Sequence, residues 1–282
     1  MAKGVLYLVG VPIGNLGDMT FRAVETLKKA DIIAAEDTRK AQKLLAHFAI
    51  KPEKFVAHHA HNEAQSSKGL LEMLAKGHNV ALITDAGMPS VSDPGYHMVN
   101  AARNAGVDVV VVPGVSAVPT AVAVSGLPAE DFRFVGFLPR KQGQQNKILS
   151  DLKIATSTLV FFESPRRTKE TLNTLLAHFG NRDACLCREL TKTHEEIIPS
   201  NLEHISVALT QRQEVLGEVT LVVAGASAEE NQITEALLEK YIHDGLADGQ
   251  SPKSLRDILS SRYGLRKKDV YEKIIALKTS SS

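Results

Sequence analysis

Short, almost wholly apolar runs recur through the first half of the chain, and each is followed by a stretch with helical periodicity. Residues 4–10 (GVLYLVG), 31–35, 55–58, 79–84 and 107–112 read as strands, and residues 22–29, 40–48, 62–76 and 95–105 as the helices between them. Strands of this kind have no polar face to give to water, so their sheet must be covered on both sides. Helical crossovers between successive strands in turn demand parallel pairing. A further helix, rich in Ala and Val, opens at Ser116 and ends before Pro128. The first half is therefore expected to be α/β with a mainly parallel sheet.

Gly126-Leu127-Pro128 interrupts this pattern, and the strands that follow are separated by more polar turns. They are expected over 132–137, 158–163, 184–189, 195–198 and 218–224, where the sheet ends at Ala224. Residues 189–198 read as a hairpin through Thr191-Lys192-Thr193, so the second sheet is expected to be mixed. From Asn231 onward the pattern is helical only, with breaks at Gly249-Gln250-Ser251-Pro252 and Tyr263-Gly264 and a disordered tail over 280–282. The expected organisation is an N-terminal α/β domain over 1–126, a second α/β domain over 127–226 and a basic helical C-terminal extension over 227–282.

Composition closes off several classes. The chain is 44% hydrophobic and 23% charged, which describes a globular protein rather than a disordered one. No run approaches the roughly 18 apolar residues that span a bilayer, and the start, running straight into a strand-like segment, is expected to carry no signal peptide. The expected location is the cytoplasm, with no membrane partner. A net charge of +1 gives no global attraction to a polyanion. Residues 251–278, however, hold eight Lys and Arg against three Asp and Glu, a pattern that suits either a solvated amphipathic face or a surface that tracks phosphates. Cys185 and Cys187 would share one face of a strand, which disfavours a disulfide between them. Without further Cys or suitably spaced His, no metal site is expected.

The chemistry-bearing residues lie where strands end. The turn after the first strand, Gly10-Val11-Pro12-Ile13-Gly14-Asn15-Leu16-Gly17, matches neither the dinucleotide fingerprint nor the Walker loop. It still lies where open α/β sheets place ligands. The second strand ends in Glu36-Asp37-Thr38-Arg39, more charge than a helix cap needs, although Asp37 or Thr38 could serve as one. The fourth opens into TDAGMPSVSDPG, residues 84–95, a long loop rich in Gly, Pro and Asp. The fifth ends in Pro113-Gly114-Val115-Ser116-Ala117, where free helical amides suit a carboxylate. His58, His59 and His61 read as polar loop histidines. The charged groups of residues 162–167 and 188–195 read equally as functional groups or as surface ion pairs.

GVPIGN, EDTR, TDAGMPSVSDPG, PGVSA, FFESPRR, RELTKTHEE and GEVTLVV, taken in this order, resemble the ribosomal RNA small-subunit methyltransferase I family of the tetrapyrrole (corrin/porphyrin) methylase superfamily. The resemblance covers about residues 4–225 and extends to the basic tail. It implies a two-domain α/β tetrapyrrole methylase-like fold, S-adenosyl-L-methionine as cofactor and a homodimer. The implied reaction is 2′-O-methylation of cytidine 1402 in 16S ribosomal RNA (rRNA) of the small subunit. Carried over position by position, Pro12, Asp85, Gly87, Val91, Ser116 and Ala117 are expected to surround the cofactor, with Phe162 and Ala224 from the second domain. Glu36 and Asp37 are candidates for the catalytic base, and Arg39 for orienting the acceptor. A tetrapyrrole or protein side-chain methylase of the same fold and a non-catalytic RNA-binding assembly factor are the alternatives.

Overall fold

The computed structural model describes residues 2–227 and 235–280, so the expected helix start at Asn231 and the last two serines of the expected disordered tail lie outside the described residues. The chain forms two compact units. The first is Met1–Ser125 with Leu186–Ile198 and Leu216–Thr220, and the second is Gly126–Cys185, Pro199–Val215 and Leu221–Ser282.

The first unit carries β1 (Leu6–Val9), α1 (Phe21–Lys29), β2 (Ile32–Ala35), α2 (Thr38–His47), β3 (Lys54–Ala57), α3 (Glu63–Ala75), β4 (Val80–Ile83), α4 (Tyr96–Asn104), β5 (Val109–Val112) and α5 (Ala117–Ser125). The strands pair in the order β3-β2-β4-β1-β5, with parallel registers such as Leu6↔Val80, Leu6↔Val109, Ile32↔Val80 and Ile32↔Lys54. Two apolar cores follow from the strand alternation. Val9, Ile33, Ala35, Ala81 and Ile83 pack with Ala23 and Leu27 of α1 and Ala41 and Leu45 of α2 on one face. Leu6, Ile32, Ala34, Val80 and Leu82 pack with Leu70 and Leu74 of α3 and Met98 and Ala102 of α4 on the other. β4, buried at every residue, sits between β2 and β1, as its uninterrupted apolar run demands.

The remaining elements are β6 (Phe132–Phe137), α6 (Gln142–Leu152), β7 (Thr158–Glu163), α7 (Thr168–Phe179), β8 (Asp183–Arg188), β9 (Glu196–Asn201), α8 (Leu202–Thr210) and β10 (Val219–Val223). The second sheet has the order β6-β7-β10-β8-β9. β8 and β9 are consecutive and adjacent, as the hairpin reading expects. Pro199, which cannot donate to a neighbour, is tolerated because β9 lies at the edge.

Among the described residues the tail forms three helices, α9 (Glu235–Ala247), α10 (Pro252–Tyr263) and α11 (Lys267–Ser280), around Ile242, Leu255, Leu259, Val270 and Ile274. Ser251 caps α10 by accepting from the Ser254 amide, and Gly264 ends it at φ 63°. The tail's positive charge is largely neutralised. Arg256 and Lys267 pair with Asp257, Arg266 with Asp269, and Lys273 with Glu235 and Glu239 of α9. α11 continues to Ser280, one residue into the stretch expected to be disordered. No helix among the described residues is long and apolar enough to cross a membrane.

Candidate active site

Parallel pairing brings the ends of β1, β2, β4 and β5 to one edge of the first sheet. β1 and β4 are neighbours, yet β1 leads to α1 on one face and β4 to α4 on the other. Their connections therefore diverge and open the crevice in which α/β sheets take ligands. Two glycine features draw the loops together there. Val11 and Gly87 form an isolated antiparallel bridge, with Gly87 at φ 76°. Gly10 and Gly114 meet backbone to backbone: a Cβ at Gly10 would stand 2.6 Å from the Gly114 nitrogen and 2.6 Å from the Met88 Sδ.

The acidic residues of the β2 and β4 loops form one hydrogen-bonded set. Asp85 accepts from the Asp37 amide at 3.0 Å and from Lys40 Nζ at 2.7 Å. Asp37 accepts from the Arg39 amide, Nε and Nη2, so it does cap α2 while also pairing with a guanidinium that is 86% exposed. Those hydrogen bonds from Arg39 hold the Asp37 carboxyl down at about 2. Thr84, itself buried, donates to Glu36 Oε2 at 3.1 Å. Asp93 also bonds to Thr84, but burial, with Glu36 and Asp85 as like charges nearby, pushes its carboxyl up to about 6.

A cavity of about 340 Å³ lies at this edge within the first unit, lined by Pro12, Ile13, Gly14, the α2 residues Lys40, Lys43 and Leu44, and Thr84, Asp85, Lys192 and Glu218. Lys192 bonds to Glu189 at 2.8 Å and to Glu218 at 3.1 Å. A smaller one, about 30 Å³, is lined by Ile13, Ala117, Cys187, Leu190, Glu218 and Thr220.

Of the expected cofactor residues, Pro12 and Asp85 thus line the larger cavity and Ala117 the smaller. Gly87 is bridged to Val11, Ser116 immediately precedes α5, and Val91 is exposed on its loop between Ser90 and Ser92, both at positive φ. Phe162 lies in β7 of the second unit, where its ring packs on Phe134 and Phe137. Ala224 follows β10, and its amide donates to the Asp183 carbonyl. Of the expected catalytic residues, Glu36 and Asp37 join the set around Asp85 and Thr84, whereas Arg39 extends into solvent. Sequence reasoning passed over Asp93, Thr84 and Lys40. Asp93 lay inside the conspicuous loop with Thr84 and Asp85, but its burial and the approach of Glu36 from the end of β2 are not legible there.

The other charged motifs are mostly structural. Glu163, fully buried, accepts from the Ser164 amide and the Thr171 hydroxyl and pairs with Arg167 at 3.6 Å. In the 188–195 stretch Arg188 pairs with Glu196, Lys192 with Glu189, and the Thr191 amide with Glu195. His58 lies in the loop between β3 and α3 but is buried there: it is 1% exposed and its Nδ1 lies 2.7 Å from the Ser66 hydroxyl. Glu63, beside it, accepts from the Gly95 and His97 amides and so anchors the end of the long loop.

Residues 5–206 match the family model of the tetrapyrrole (corrin/porphyrin) methylases. The chain is 44% identical over 277 residues to the ribosomal RNA small subunit methyltransferase I of Halalkalibacterium halodurans, covering 95% of this chain and 94% of that protein. It is 41% identical over 276 residues to the protein of the same name from Streptococcus pyogenes serotype M1, covering 96% and 94%. Among solved structures it is similar to a uroporphyrin-III C-methyltransferase from Thermus thermophilus complexed with S-adenosyl homocysteine. That likeness has a TM-score of 0.54 at 23% identity and covers 78% of this chain and 97% of that one, so it speaks for the fold.

Proposed function

The chain belongs to the tetrapyrrole (corrin/porphyrin) methylase family, and from that premise we propose that it is an S-adenosylmethionine-dependent rRNA methyltransferase acting on the ribose 2′-hydroxyl of cytidine 1402 in 16S RNA of the small ribosomal subunit. The observation that carries this reading is the 44% identity, spread over nearly the whole of both chains, to a protein named for small-subunit RNA methylation.

The carboxyl edge of the first sheet fits the cofactor. Gly10 and Gly114 let the ends of β1 and β5 close backbone to backbone, and Pro12, Asp85, Gly87, Val91, Ser116 and Ala117 would hold the cofactor at this edge. The amides at the start of α5 suit its carboxylate. S-adenosylmethionine supplies a methyl group already activated by its sulfonium, which leaves the protein to align the 2′-oxygen and take its proton.

Asp37 is a weak base for that task, because Arg39 keeps its carboxyl at about 2. Glu36 is occupied by the Thr84 hydroxyl. Asp93, pushed up to about 6, has a basicity near neutral pH, so it joins Glu36 and Asp37 as a candidate proton acceptor. Arg39 presents its exposed guanidinium to an RNA phosphate. The homodimer belongs to the same reading, supported by Val110 and Val111, exposed on the edge strand β5.

The test incubates purified protein with labelled S-adenosylmethionine and small subunits lacking the modification, followed by mass spectrometry of the digested RNA. Label as 2′-O-methylcytidine at position 1402 is expected. Cofactor binding without that label would move the reaction to another acceptor, and absence of cofactor binding would sink the enzymatic reading.

A further inference from the structure

A second surface, on the second unit, has the makings of a nucleic-acid interface. In β6 the register against β7 slips: Phe134 faces Val160, but Gly136 faces Phe161 and Phe137 faces Phe162, so Val135 is an extra residue and Gly136 takes φ 77°. Bulges in parallel pairs are rare and re-aim side chains. Without this one, Phe134 and Phe137 would face opposite sides of the sheet. With it, both rings reach Phe162, at centroid distances of 4.8 and 5.7 Å, and Phe137 is left 57% exposed.

Cations collect next to these rings. Arg167, anchored by the buried Glu163, donates to the carbonyls of Leu138 and Pro139 at 3.1 and 3.4 Å. This clamp ties the loops after β6 and β7 together; Arg166 precedes Arg167 in one, Arg140 and Lys141 follow Pro139 in the other, and all three are exposed. Residues 132–150 contain no Asp or Glu. The combination is an open aromatic face for a base and unneutralised cations for the adjoining phosphates, whereas most of the cations of the helical tail are already ion-paired.

We propose that Phe137, with Arg140, Lys141 and Arg166, forms a docking surface for a single-stranded RNA segment, stacking one unpaired base on the Phe137 ring and meeting its phosphates with the three cations. This rests on the reading of the chain as an RNA methyltransferase. A single strand is specified because stacking on an exposed ring requires a base free of its helix.

Fluorescence anisotropy with an unstructured, fluorescein-labelled oligoribonucleotide tests it on the full chain. Phe137→Ala is expected to weaken binding about tenfold, while Phe137→Trp retains it. Arg140→Gln, Lys141→Gln and Arg166→Gln together are expected to weaken binding and to flatten its salt dependence, by about 0.7 in logarithmic slope for each phosphate that is no longer neutralised. Melting temperature, S-adenosylmethionine affinity by calorimetry and sedimentation coefficient should stay at their parental values in all three variants. Parental RNA affinity in Phe137→Ala would overturn the proposal, as would absence of RNA binding by the parent. An equal loss of cofactor affinity would also overturn it, showing that the ring merely supports Phe162. A lowered oligomeric state would do the same, assigning the face to a second copy of the chain. Because binding is read without turnover, failure of methylation at the proposed nucleotide would leave this surface standing, and failure of the surface would leave the methylation intact.

Discussion

Val11 and Gly87 exchange both backbone hydrogen bonds, at 2.9 and 3.1 Å, across the ends of two strands whose helices lie on opposite faces of the sheet. That bridge fixes the spacing of the loops that carry Pro12 and Asp85, so the crevice is set by main chain before any side chain contributes. Its glycines are accordingly of two kinds.

Gly87→Ala meets nothing closer than 3.5 Å and carries only the left-handed backbone strain, about 1 kcal/mol. Gly10→Ala drives a methyl into the Gly114 backbone, which cannot swing away, and should cost about 3 kcal/mol. Urea unfolding of the two variants should show the second much the less stable, with cofactor affinity falling in parallel.

The acidic set gives two opposite pH signatures. The folded protein holds a proton on Asp93 up to about pH 6, whereas an unfolded Asp releases it near about 3.9. The native state thus binds more protons between those values, and this group's contribution to stability declines as pH rises through that window. Asp93→Asn should abolish that decline, raising the melting temperature at pH 7 while leaving it little changed at pH 4. The same variant should remove the rise in transfer rate through pH 6. Asp37, held near 2 by Arg39, contributes in the other sense: its stabilisation is present above about pH 4 and fades toward pH 2, and Asp37→Ala should lose that component together with the α2 cap.

Glu163 is fully buried and Arg167 is its only cation among the described residues. Arg167→Ala strands a charge away from water and should destabilise by about 3–5 kcal/mol. Glu163→Gln keeps the shape and one acceptor oxygen, for a loss of about 1–2 kcal/mol. Chemical denaturation of the double variant should give less than the sum, as expected of partners in one network.

Cys185 and Cys187 are at most 1% exposed. Both should resist a thiol reagent in native buffer and react together only at denaturant concentrations that unfold the second sheet, which absorbance titration will read directly.

Ile242 of α9 is buried against α10 and α11. Removing residues 251–282 should therefore expose it and produce a more aggregation-prone protein than removing residues 235–282, a difference that light scattering during expression and purification will register.

Much of this architecture is written locally. The runs ending at Ala35 and Ile83 could only be covered strands, and the Ser251-Pro252 and Gly264 signals mark helix limits by cap chemistry alone. Parallel pairing then places EDTR and the long 84–95 loop on one edge without further information. What stays hidden are neighbours brought together by strand order. Glu36 and Thr84 lie 48 residues apart and meet because β2 lies beside β4, and Asp93 is raised first by burial and then by Glu36 and Asp85 as like charges. The burial of His58 and Glu163 depends on helices packed over them, which a window of local sequence does not register. The Phe137 bulge turns on one glycine whose neighbours read as ordinary strand.

The position of β10 in the second sheet bears on how the protein is made. It is buried at every residue and lies between β7 and β8, yet among the described residues it is the last strand to leave the ribosome. β1 to β5 can assemble as soon as about residue 112 has emerged, because their sheet uses a continuous stretch of chain. The second sheet must wait with its central slot open until Val223 is out, holding β7 and β8 apart with apolar edges exposed in the meantime. Nascent chains halted before residue 219 should therefore protect the first sheet from protease while leaving β6 to β9 cleavable, and that interval is when a chaperone would have its substrate.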